Sequence, residues 1–142
     1  MPDKKDKETS SNGRKLSGKI GMFVWIFAVI ISVVHIWYNS FGLLGVVQKN
    51  LMHLSLLMGL SFLITPARKN SPKNRPSIFD WVLFALTLFC GIYFFTGYIR
   101  LTQAMMVPVT TDFIYGIVFS LLLIEAARRT VGLPLTILAA IF

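Results

Sequence analysis

Residues 20–38 read IGMFVWIFAVIISVVHIWY, a run of 19 residues without one charged side chain. A helix needs about 20 apolar residues to cross the hydrocarbon core of a bilayer, so this run is long enough to span. It exceeds the 7–15 apolar residues typical of a signal-peptide core, and no small-x-small cleavage pattern follows it. The reading is a retained first transmembrane helix, closed by an aromatic collar of Trp37 and Tyr38.

The rest of the chain agrees. Of its 142 residues 55% are hydrophobic and only 14% charged, with a mean hydropathy of +0.69. Soluble domains carry roughly 25% charged residues. Cys90 is the single cysteine, which excludes a disulfide-stapled domain and, with only His35 and His53 to help, a zinc finger. Six acidic residues and two histidines offer no credible nucleophile–base pair, so the chain does not read as an enzyme.

The net charge of +8 does not indicate nucleic acid, because the basic residues alternate with long apolar stretches rather than forming one stripe. Lys4, Lys5, Lys7, Arg14, Lys15 and Lys19 precede the first stretch. Arg68, Lys69, Lys73 and Arg75 lie between the second and third, and Arg128 and Arg129 follow the fourth. Residues 1–19 are polar and read as a disordered basic tail. A second span is predicted over 46–65, closed by Pro66, with Lys49 able to snorkel to the headgroups. A third is predicted over 78–99, opened by Pro76, Ser77 as N-cap, and Asp80 at the positive end of the helix dipole.

The fourth span is the shortest. Asp112 and Glu125 enclose only 12 uncharged residues, so it crosses only with the two carboxylates at opposite interfaces. Glu125 is spaced to pair with Arg128 and Arg129, and Gly132 can terminate the helix. The expected architecture is thus all-α with four transmembrane helices. Placing the three basic clusters on one side makes the N-terminus cytoplasmic by the positive-inside rule, with Lys49 and Arg100 opposite. Residues 133–142 are apolar again and too few to span, so they read as the start of a truncated fifth segment of a longer protein.

Within the spans, no acidic residue lies at depth, which argues against a small proton-coupled multidrug exporter. His35 reads as interfacial and His53 as a structural residue bonded to another helix. Two histidines without a nearby carboxylate do not predict a metal site. Each span offers a small-xxx-small pair suited to close helix packing: Ala28 with Ser32, Ser55 with Gly59, Thr87 with Gly91, and Gly116 with Ser120. Cys90 reads as a buried small apolar residue.

The segment LLLIEAARRTVGLPLTILAAIF, residues 121–142, resembles the junction in fused permeases of the tripartite ATP-independent periplasmic (TRAP) transporters, in the subtype served by a TAXI-class receptor. There a four-helix Q-type part precedes a twelve-helix M-type part, across a Leu-Glu-Ala-x-Arg-Arg-x-x-Gly run. Glu125, Ala126, Arg128, Arg129 and Gly132 match it, with Leu123 shifted by one place. Weaker similarities are VQKNLMHLSLLMGLSFLITP with His53 and Pro66, IFDWVLF with Asp80 and Trp81, and TTDFIYGIV with Asp112 and Gly116. The resemblance covers about residues 20–142 and implies a Q-like domain over 20–130, with an M-like domain beginning at 131–142.

The resemblance further implies a bacterial inner-membrane scaffold for sodium-coupled uptake of organic acids or amino-acid-like anions. Its implied partners are the M-type permease domain, a periplasmic TAXI-type solute receptor and anionic lipid. The sodium site belongs to the M-type part, so no cofactor is expected in this chain. A different class, a small membrane interaction protein acting alone, predicts a stable chain without an M-type partner.

Overall fold

The computed structural model describes residues 13–14, 16–42, 44–67, 75–103 and 109–141. Of these, 86% are helical and none lies in a strand. Five helices follow one another: α1 (Gly18–Phe41), α2 (Val46–Ile64), α3 (Ile78–Gln103), α4 (Thr110–Thr130) and the short α5 (Leu133–Ile141). The first four are long and apolar enough to cross a membrane. At 1.5 Å per residue, α1 measures about 36 Å and α4 about 31 Å, against a hydrocarbon core of roughly 30 Å.

Large apolar side chains face outward on every spanning helix, among them Trp25 at 67% exposure, Ile78 at 84% and Ile117 at 61%. In water this would be a severe aggregation liability; in lipid it is the expected outer surface. The chain is a multi-pass membrane protein.

The fourth helix is longer than its uncharged window suggested. It extends outward past both carboxylates, to Thr110 and Thr130, because Asp112 and Glu125 each find arginine partners. Beyond it, Gly132 adopts φ +93°, a conformation that side-chain-bearing residues rarely take, and α5 starts at the next residue.

Helices α2 and α3 form the best-packed pair, with α1 and α4 placed against them. One apolar cluster joins α2, α3 and α4 through Met58, Phe62, Cys90, Phe119, Leu122 and Ala126. Another joins α1, α2 and α3 through Val24, Leu63 and Phe84, with Phe27 edge-on to Phe84. Cys90 is wholly buried, as its sequence setting predicts.

Two of the four small-residue pairs face a neighbouring helix. A methyl group at Gly91 would lie 2.6 Å from Ser55 Cβ, so α2 and α3 meet there nearly backbone to backbone. At Gly59 the added carbon would lie 3.3 Å from the Phe84 ring. The other two pairs differ from expectation. Ser32 and Ser120 are exposed and turn their hydroxyls back to Ala28 and Gly116 of their own helices, and the Gly116 Cα faces open space. Sequence spacing alone cannot say which face a small pair occupies.

Three further expectations change. The aromatic collar is divided: Trp37 is exposed, while Tyr38 is 2% exposed and packs against His35. The tail expected over 1–19 packs against the bundle in part, since Arg14 is 7% exposed and Leu16 contacts the α1–α3 cluster. Its composition gave no hint of this, because every partner of Arg14 is distant in sequence. Residues 1–12 of that tail, and Arg68, Lys69 and Lys73 of the basic loop, lie outside the described residues.

Candidate functional site

Helix α2 ends with local donors for one carbonyl only, the Thr65 N–H and hydroxyl both bonding to Ser61 O. Its last turn contains no basic residue, and Thr65 and Pro66 follow in place of a glycine cap. Its final carbonyls therefore need outside donors. Arg14 supplies them, and Arg129 and Arg128 serve the carbonyls just beyond the helix. The Arg14 backbone N–H donates to Ile64 O at 2.9 Å, and its guanidinium Nη1 donates to Leu63 O at 3.2 Å and Phe62 O at 3.5 Å. Arg129 Nη1 reaches Thr65 O at 3.5 Å, and Arg128 Nη2 reaches Ala67 O at 3.3 Å.

The start of α3 completes the assembly. Asp80, in its first turn, accepts the Ser77 backbone N–H at 2.9 Å, which is the capping role the sequence predicts. The structure adds a second role. Asp80 Oδ2 also accepts from Arg14 Nη2 at 2.5 Å, and Oδ1 from Arg129 Nη1 at 2.7 Å. The Arg14 and Arg129 side chains are fully shielded from solvent, and Asp80 nearly so. The Arg129 guanidinium also lies over the Phe62 ring, 5.0 Å from its centroid, where a cation is favoured.

Glu125 closes the network from α4. It accepts from Arg128 Nε and Nη2 and from Arg129 Nε, each at 2.7 Å, in the i+3 and i+4 pairing that the spacing predicts. Three guanidiniums thus share two carboxylates at one end of the bundle, drawing together the α1 approach, the end of α2, the start of α3 and the end of α4. Arg14 Nε and Arg129 Nη2 are buried with no acceptor among the described residues.

A second network occupies the opposite end. Asp112, in the first turn of α4, accepts the Val109 backbone N–H at 2.9 Å, the Tyr93 hydroxyl at 2.5 Å, and both Nη atoms of Arg100 at 3.0 and 2.5 Å. Arg100 remains 44% exposed. At this end His35 Nε2 also lies 2.5 Å from His53 Nδ1, while His35 Nδ1 donates to Ile31 O at 2.7 Å.

Of the residues singled out from sequence, Glu125, Arg128, Arg129 and Asp80 come together. Gly132 sits just past them, while Asp112 and His53 belong to the other end. Arg14 and the Asp80–Arg129 pair are central and were not foreseen, since 66 and 49 residues separate the partners and no local periodicity connects them. The one available signal was the charge balance at the end of the fourth span, where a single carboxylate, Glu125, stands beside two arginines. Among the described residues no group of three or more His, Cys, Asp or Glu could hold a metal.

The fold and its two polar ends define an all-α, multi-pass membrane protein with a cross-braced terminal network. Comparisons with protein-family models, with curated proteins and with solved structures find no match to this chain.

Proposed function

We propose that this chain is the Q-like front part of a fused TRAP-type permease of the TAXI subtype, and that it serves as the fixed scaffold of the transporter. The observation that carries the reading is the bracing of the EAARR segment. Glu125, Arg128 and Arg129 are tied to Asp80, to Arg14 and to the α2 terminus, so the point where α4 passes into α5 is anchored to every spanning helix or its approach. A junction that must stay still while an attached domain moves needs such anchoring.

In this reading the M-type domain follows α5 and carries the sodium and substrate sites. A periplasmic receptor delivers an organic acid or amino-acid-like anion, and the whole resides in a bacterial inner membrane. The Arg14–Asp80 end faces the cytoplasm, where the flanking basic residues gain about 1 kcal/mol each near anionic lipid. Phosphatase fusions active near residues 45 and 105 and inactive near 71 fit this orientation; the reverse pattern refutes it.

The functional test is solute uptake by a full-length permease carrying Glu125→Gln and Arg128→Gln. Uptake should fall while the protein still reaches the membrane. Normal assembly with normal uptake would sink the junction role.

A further inference from the structure

Between the end of α3 and the first half of α4 the surface of the bundle holds an open groove of about 510 Å³. Phe94 and Leu101 line it from α3, and Phe113, Gly116, Ile117 and Ser120 from α4. From Asp112 to Leu121, the first and last α4 residues along it, nine residue steps of 1.5 Å cover about 14 Å. That is close to half of the roughly 30 Å hydrocarbon core, the depth that the lipid tails of one leaflet occupy.

The groove is apolar although a serine and an aspartate line it. Ser120 turns its hydroxyl to Gly116 O at 2.9 Å, and the Asp112 carboxylate is occupied by Arg100, Tyr93 and the Val109 N–H. Gly116 offers bare backbone, since a carbon added there would meet nothing within 4 Å among the described residues. The mouth is different. Asp112 pins the Arg100 guanidinium there through both Nη atoms, yet the Arg100 side chain stays 44% exposed. Its Nε has no acceptor among the described residues. Helix α4 begins at the same level, and the unpaired N–H groups of a helix's first turn favour an anion.

We infer that this groove binds one membrane phospholipid, with an acyl chain along Gly116 and Ser120 and the phosphodiester on Arg100. A guanidinium suits that headgroup because its N–H groups form charge-assisted bonds to phosphate oxygens. Its depth is right as well. Arg100 lies three residues from the end of α3, where a long basic side chain reaches the headgroup level. A partner helix is the poorer match, because a helix crossing the whole core is about twice as long as the groove.

The probe is palmitoyl-oleoyl-phosphatidylglycerol, titrated into the delipidated full chain in detergent and counted by native mass spectrometry. The expected result is one lipid per chain that saturates ahead of any others. Gly116→Leu sends its side chain into the groove, because the first added carbon meets no neighbour. It should weaken binding at least tenfold with unchanged helical circular dichroism, and Ser120→Leu should do the same from one turn away. Palmitoyl-oleoyl-glycerol, which has the same tails without the phosphate, should bind at least tenfold more weakly. Equal binding of the two lipids overturns the headgroup assignment, and undiminished binding in both leucine variants overturns the site. A wild-type dimer that Gly116→Leu disperses gives the groove to a second copy and overturns it too.

Discussion

Asp80 and Asp112 start from the same local design and end in different environments. Each lies in the first turn of a spanning helix, three residues after the residue whose backbone N–H it accepts, and each binds arginine. Asp80 holds two guanidiniums that are wholly withdrawn from solvent, one from before α1 and one from the end of α4. Asp112 holds one guanidinium, itself 44% exposed, together with the Tyr93 hydroxyl. The capping motif is the same in both; long-range closure is what separates them. A charge pair shut away from water becomes very costly to break from one side, whereas a solvated pair does not.

Changes at the Asp80 end should therefore be the more damaging, as unfolding of the detergent-solubilised protein can measure. Asp80→Ala leaves two buried guanidiniums without their shared carboxylate and should cost about 3–5 kcal/mol. If it cost no more than Asp112→Ala, the contrast between the two ends would fail. Arg14→Ala removes the donors to Leu63 and Phe62 and one of two partners of Asp80. The expected loss is about 2–3 kcal/mol, with faster proteolysis ahead of α1 as a second readout.

Gly91→Ala calibrates both ends against the middle of the bundle. The added carbon meets Ser55 Cβ, which cannot rotate away, so overpacking should cost about 1–3 kcal/mol. Asp112→Ala should give the smallest loss of the four. Water and Tyr93 can still solvate Arg100, and the visible effect should be fraying at the start of α4, measured by amide exchange at Val109 and the residues after it.

Much of this fold was legible in the sequence because the bilayer imposes one length scale. The span predicted over 46–65 matches α2, and that over 78–99 lies within α3, since apolar runs punctuated by Pro66, Pro76 and Ser77 leave little freedom. Glu125 with Arg128 and Arg129 was equally legible, being pairs one turn apart on a single helix. The Arg14–Asp80–Arg129 contacts were not. They depend on which helix ends meet, and hydropathy carries no such information. Likewise, Gly91 and Gly116 sit in the same spacing pattern, yet a carbon added at one would press on Ser55 while at the other it would meet nothing within 4 Å among the described residues. A face can be assigned only when the neighbours are known.

The separation between Arg14 and Asp80 sets an order of events during synthesis. At 5–20 residues per second, the 66 residues between them take roughly 3–13 seconds to emerge from the ribosome. By the end of that interval α1 and α2 have been made while Arg14 still lacks its carboxylate, and the carbonyls of Thr65 and Ala67 just past α2 wait longer, for Arg129 and Arg128. The hairpin can thus form early but cannot lock until its third and fourth helices arrive, which makes final closure a late, all-helix event.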